Sequence, residues 1–317
     1  MEANKTRITN CKNIANITGP SYVAGILANA DDTEELVIKH CTNSGKITGT
    51  GEGSGAIGGI VGDAQSSTIL IESSKNTAEI SGTKQTGIAG IMGKIYEEGN
   101  SNLTIKECSN SGKITCDMHG AGMLGQIWAN TGTQITVTLS QNRNTGDINA
   151  TTNVADENGL GGIAGNLGSD GIIIANINNC YNSGDITGNL NGVAGIVGVV
   201  ATVGTQEVNI LNCLNIGAIS GNENQGGIVG VFEGNASKLT STIKNCANTG
   251  SVGKAEMYSV GGIAGAIHSS NAQSTIGISN CSNVGIVTGI LDWDVGGITG
   301  GLSETITVTQ SNLFYLE

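Results

Sequence analysis

Asn179-Cys180-Tyr181-Asn182-Ser183-Gly184-Asp185-Ile186-Thr187-Gly188, followed by Ala194-Gly195-Ile196-Val197-Gly198, is the clearest copy of a unit that recurs along the whole chain. Its Cys position stands at 11, 41, 74, 108, 142, 180, 213, 246 and 281, so the copies lie 30 to 38 residues apart. A period of that size marks an array of one structural unit rather than a globular domain with a single core. Each unit must bury its apolar face against its neighbours.

Each copy reads as one coil. Three residues before the Cys position an aliphatic side chain occurs every time, from Ile8, Ile38 and Ile71 to Ile243 and Ile278. Two residues further back the pattern continues with Leu36, Ile69, Leu103, Val137, Val208 and Ile276. Alternation with period two is the mark of a strand with one buried face. Two residues after the Cys position every copy has Asn, from Asn13 to Asn283. An amide at such a turn can bond its own backbone and the amides stacked above and below. A second strand turns Ile17, Ile47, Ile80, Ile114, Ile148, Ile186, Ile219, Val252 and Val287 inward, and a third is the glycine element, as in Gly58 to Gly62 and Gly226 to Gly230.

The fold expected is all-β: a parallel β-solenoid of nine to ten coils of about 33 residues, with three short strands per coil. It forms one continuous body over residues 1–317, and Ile306 and Val308 open the tenth coil. Stacking at roughly 4.8 Å per coil predicts a rod about 45 Å long. The crossover preference favours a right-handed β-helix.

Composition agrees with a narrow interior. Aromatic residues are 3% and charged residues 13%, so small aliphatic side chains must fill the core. Gly numbers 51 against a single Pro, with no Gly-X-Y period, which excludes collagen and assigns the glycines to tight turns. A formal net charge of −12 disfavours nucleic acid and anionic membrane surfaces as partners. No apolar run approaches the ~18 residues that membrane insertion needs. Met1-Glu2-Ala3-Asn4 leads straight into the repeat without a signal peptide, and Leu316-Glu317 resembles the residue of a cloning site. Both ends fall inside a coil. We therefore expect a fragment of a longer protein, with end-to-end self-association open to its uncapped coils.

Seven of the eight cysteines share the repeat position, and Ser74 and Asn142 fill it in the other two copies. Equivalent residues of stacked coils point their Cβ atoms in parallel, which is poor disulfide geometry, so a column of buried reduced thiols is expected. Cys116 lies off that column and is the expected reactive thiol.

The segments Gly226-Gly227-Ile228-Val229-Gly230 and Cys213-Leu214-Asn215-Ile216-Gly217 resemble the GLUG motif repeats of bacterial surface proteins, and the resemblance covers almost the whole chain. It implies an extracellular place on the bacterial cell surface. The implied role is a non-enzymatic adhesin or stalk that presents variable loops to a host or cell-surface glycan or protein. Such repeats also occur in non-catalytic parts of surface peptidases. The alternative is therefore a scaffold region of a larger surface peptidase or carbohydrate-active enzyme. The resemblance brings no functional residues with it.

Motifs of catalysis fail one by one. Gly120-Ala121-Gly122-Met123-Leu124-Gly125 matches G-x-G-x-x-G, but it is the repeat's own glycine strand, with no helix to hold a pyrophosphate. His40, His119 and His268 are isolated, so no H-E-x-x-H zinc site exists, and no G-x-S-x-G elbow occurs. Acidic residues gather at Asp31, Asp32, Glu34 and Glu35 on one loop, at Glu97 and Glu98, at Asp156 and Glu157, and at Asp292 and Asp294. Glycoside hydrolysis requires two carboxylates facing each other at about 5–10 Å, whereas these clusters sit on different, variable corners with no recurring partner base and read as solvated loop charge. No catalytic residue, metal site or cofactor is expected, with calcium at one acidic corner the single exception weighed.

Aromatic placement is the rarer signal. Five positions before the Ile of the glycine strand, consecutive coils carry Tyr258 and Trp293; five after it, two other consecutive coils carry Tyr96 and Trp128. In-register stacking places each pair one coil apart on the outer surface, where flat faces suit glycan or protein contact. The plainer role is to cover a loop or the end of the core. Tyr96, Trp128, Tyr258 and Trp293 are the candidate ligand-binding residues, with the acidic corners and the longer coil around Thr151 to Asn158 as further departures from the repeat.

Overall fold

A computed structural model describes residues 4–51, 53, 55–97, 99–151, 159–234, 238–290, 294–303 and 305–315. Trp293, Glu98, Asp156, Glu157, Asp292, Leu316, Glu317 and most of the Thr151 to Asn158 segment lie outside the described residues. Among the described residues every element is a strand, and every strand pairing between coils is parallel, with equivalent residues in register as in Ile105 with Ile71 and Leu139; one register shift interrupts Leu27–Lys39 against Val61–Glu72. The fold is the β-solenoid that the repeat predicts, and Thr307–Ser311 adds the tenth coil by pairing with Thr275–Ser279.

The coil through Cys108 shows how sequence becomes shape. Ser101–Lys106 buries Ser101, Leu103 and Ile105 and turns the residues between them outward. Ile114–Cys116 is the second expected strand. The glycine element is bent into two pieces, Gly120–Ala121 and Leu124–Ala129. Ser109–Asn110 adds a two-residue parallel bridge at the Asn corner. In the first coils the path after the glycines runs unbroken through the next corner, as Leu27–Lys39 and Val61–Glu72. The cluster Asp31 to Glu35, expected on a loop, therefore lies on a strand.

Two apolar columns run along the rod. The larger joins the pre-Cys strand, the Cys column and the Ile of the glycine element, for example Ile105, Cys108 and Met123. The smaller joins the second strand to the residue ahead of the glycines, for example Ile114 with Ile88 and Leu160. Between them stands the Asn column. Eight consecutive amide–amide bonds of 2.7–2.8 Å link Asn13, Asn43, Asn76, Asn110, Asn144, Asn182, Asn215, Asn248 and Asn283. Each amide also donates to the carbonyl two residues on, as Asn144 does to Gly146 at 2.8 Å. Across the coil the second Gly of the glycine element packs on the amide. A Cβ at Gly122 would lie 2.6 Å from Asn144 Cβ and 2.3 Å from the Gly162 carbonyl oxygen, so only glycine fits. In the tenth coil Tyr315 takes the Asn column, its ring against Gly297.

A second column explains why Cys, Ser and Asn interchange. The residue before each Cys position is left-handed, with φ from 50° to 56° in Asn10, His40, Ser73, Glu107, Gln141, Asn179, Asn212, Asn245, Asn280 and Asn312. That corner turns the next N–H toward a side chain rather than the carbonyl ladder. The Cys41 N–H donates to Ser74 Oγ at 3.1 Å, that of Cys108 to Asn142 Oδ1 at 3.0 Å, and that of Cys213 to Cys246 Sγ at 3.5 Å. A small acceptor is what the position requires.

Asn144→Ala strands the Asn110 donor and the Gly146 carbonyl in the interior. We expect it to destabilise the rod by about 2–4 kcal/mol, from two or more buried polar groups left unpaired. Urea unfolding measures this, and a loss below about 0.5 kcal/mol, the size of an ordinary surface substitution, would contradict the ladder's role.

Candidate functional site

Tyr96 and Trp128 lie on Met92–Glu97 and Leu124–Ala129, directly in register one coil apart, and both are half-buried on the outward face. Trp128 in turn pairs with Gly168. A Cβ at Gly168 would lie 2.7 and 2.8 Å from Cε3 and Cζ3 of the indole, so the six-membered ring occupies the space a side chain there would fill. Glycine in the next coil is what lets Trp128 lie down along the rod.

Two residues upstream of the aromatics runs a polar column that sequence inspection missed. Asn29, Asp63, Lys94, Gln126 and Asn166 succeed one another in register, coil by coil. In the following coils the same column becomes Val199, Val231 and Ala266, a small apolar cluster of its own. Although it points away from the main core, the column is covered at Asp63, Lys94 and Asn166 and half-buried at Asn29 and Gln126. Asp63 is 3% exposed and Lys94 8%. The cover is the neighbouring corner, close enough that a Cβ at Gly87 would lie 3.1 Å from Lys94 Cβ. His119 follows Gly87 one coil on and is 8% exposed.

Electrostatics tie these groups together. Lys94 Nζ reaches over the Tyr96 ring, 5.2 Å from its centroid. Burial pushes the Asp63 carboxyl up to about 6, with the Lys94 ammonium opposing the rise. Burial, seconded by Lys94, pulls His119 down to about 4, so its imidazole is neutral at pH 7. Asp63 Oδ1 and His119 Nδ1 are both buried without a hydrogen-bond partner. The strip thus brings together two aromatic rings and one ammonium, with a buried carboxyl and a buried imidazole in neighbouring coils. His119 was visible in the sequence only as an isolated histidine. The usable signal was that Lys94 and Gln126 each precede an aromatic by two residues in adjacent coils.

Tyr258 behaves differently. It is exposed, and its hydroxyl donates to the Glu223 carboxylate of the preceding coil, the bond that raises its pKa. Its expected partner Trp293 lies outside the described residues, so the structure brings together only the Tyr96–Trp128 pair. A further aromatic contact lies in the column of the Asn bridges, where the Arg143 guanidinium sits 4.8 Å over the Tyr181 ring.

The expectation for Cys116 is overturned. It is buried in the smaller apolar column, and desolvation pushes its thiol up to about 12, which suppresses the reactive thiolate. All eight cysteines are free thiols, and Cys11 alone is exposed. The chain matches no family model, no curated protein and no solved structure.

Two outcomes follow from this geometry. Asp63 holds its proton more tightly folded (about 6) than at its ordinary value of 3.8, so its contribution is present below pH 3.8 and lost as pH rises through 6. His119 runs the other way: its contribution is present above pH 6.5 and lost as pH falls through about 4. In metal-free buffer Asp63→Asn should therefore raise the melting temperature at pH 7 more than at pH 4, and His119→Gln should raise it more at pH 4 than at pH 7. Thermal melts at the two pH values decide this. Separately, Gly168→Val in a Trp293→Phe background should lift the Trp128 indole, red-shifting its fluorescence and raising its quenching by iodide.

Proposed function

We propose that this chain is a non-enzymatic repeat module of a bacterial cell-surface protein, a rod that carries an adhesive strip for a glycan or protein ligand. The observation that supports the reading most directly is the in-register pair Tyr96 and Trp128, with Lys94 against Tyr96 and Gly168 making room for the indole. Aromatic faces give contact area at little entropic cost, and adjacent polar groups fix orientation, which is the composition of a sugar-binding surface. The recurrent columns, by contrast, are consumed in holding coils together. The Asn amides bond one another and the Cys column accepts backbone N–H groups. The resemblance to GLUG repeats points to the same extracellular setting.

Binding is the test. Screened against glycan and matrix-protein arrays, the chain should give a specific hit that Trp128→Ala weakens by about 5- to 150-fold, the range expected for about one to three kcal/mol of aromatic contact. Tyr258→Ala should leave that hit unchanged. Silence on both arrays would end the adhesive reading and leave a stalk.

A further inference from the structure

The polar column begins with an arrangement of oxygen atoms that the adhesive strip does not use. Leu27–Lys39 pairs with Val61–Glu72 through Asn29 with Asp63 and Ala30 with Ala64, and the register then resumes at Thr33 with Ser66. Asp31 and Asp32 therefore stand against the single residue Gln65. This is a β-bulge, a device that re-aims a side chain out of its normal alternation. The Asn29 amide is held in place by Asp31: its Nδ2 donates to Asp31 Oδ2 at 2.7 Å. Its Oδ1 is left buried with no hydrogen-bond partner.

Directly above Asn29 in the column is Asp63, only 3% exposed, whose Oδ1 likewise has no partner. Tyr22 completes the surroundings. Burial first, and then the charges of Asp63 and Asp31, raise its phenol pKa. An amide oxygen and two carboxylates thus share one small region in which the orphan atoms, Asn29 Oδ1 and Asp63 Oδ1, are both acceptors. Against two negative charges stands one buried ammonium, Lys94, which also reaches over Tyr96. Acceptors gathered in this way call for a positive charge between them.

We propose that the first two coils hold a hard cation of the calcium class through Asn29, Asp31 and Asp63. The donor set decides the class. Every contributing atom is oxygen, and the mixture of amide and carboxylate on a bulged strand suits the flexible shell of Ca2+ better than the strict octahedron of Mg2+. Among the described residues no three His, Cys, Asp or Glu side chains converge on one point, so the site depends on the amide oxygen, and water must complete the shell. A cation here would clamp coil one to coil two, because Asn29 and Asp31 come from one and Asp63 from the next. The proposal stands apart from the adhesive reading, since neither Tyr96 nor Trp128 takes part.

Terbium is the probe, as a luminescent substitute for Ca2+ excited through the nearby Tyr22. Titration of the intact chain should give saturable terbium emission that Ca2+ displaces, and Ca2+ alone should raise the melting temperature. Asp63→Asn, with its β-sheet circular dichroism retained, and Asp31→Asn should each weaken binding at least tenfold, while the remote Glu207→Gln should not. Tyr22→Phe should lose most of the emission yet keep the Ca2+ affinity measured by calorimetry. No saturable emission, emission that Ca2+ fails to displace, or undiminished affinity in both Asp variants would overturn the site.

Discussion

A carboxamide has one donor group to spend sideways and one acceptor to receive, and the rest of this rod depends on that economy. Each Asn in the interior column gives one N–H to its own turn and another to the Asn of the next coil. Amide-to-amide bonds of 2.7–2.8 Å leave no freedom in register, because a slip of one residue would bring side chains such as Thr145 and Ser183, or Arg143 and Tyr181, into the column in place of an amide. The amide must also be met from across the coil by something with no side chain. The second glycine of the glycine element is therefore obligatory, and the two together divide the interior into two apolar columns. Leu and Ile on either side can then pack without filling one wide core, which a chain with so few aromatics could not do.

Register fixed at a few columns leaves the corners free. Coils differ by up to eight residues, from 30 between the first two Cys positions to 38 between Asn142 and Cys180, and the columns stay aligned through the change. Such tolerance follows from the additive, nearest-neighbour character of a solenoid: a longer corner alters no contact in the coils beyond it. Variation can therefore accumulate outside the columns without unfolding the rod.

This division also explains what could be read from the sequence. Strand positions, the inward Ile columns, the Asn ladder and the stacked thiols were legible because each is repeated, and repetition separates a requirement from an accident. The in-register meeting of Tyr96 with Trp128 followed from the same alignment. The polar column was not legible, because Asn29, Asp63, Lys94, Gln126 and Asn166 are five different residues that repeat nothing. Their burial comes from a lateral contact between the strand and the glycine-bearing corner, which no periodicity announces. Cys116 misled for a related reason. Lying off the thiol column set it apart as the expected reactive thiol, yet the smaller apolar column buries it as fully. Left-handed corners were equally hidden, since His40, Ser73, Glu107 and Gln141 adopt the geometry that Asn adopts elsewhere.

Chemistry is unevenly distributed along a body whose architecture is uniform. From Asn29 to Asn166 the column beside the aromatics is polar; from Val199 to Ala266 the same column is apolar and closes on itself. Burying a carboxyl and an ammonium in consecutive coils opposes folding, and in the later coils the same column is filled by valine and alanine. A position that stability alone would fill with valine, and that instead holds a strained charge, is the place in a repeat protein where a requirement other than stability has been imposed. By that reasoning the first five coils, from Asn29 to Asn166, are where the column departs from what packing alone selects, and the coils from Val199 onward conform to it.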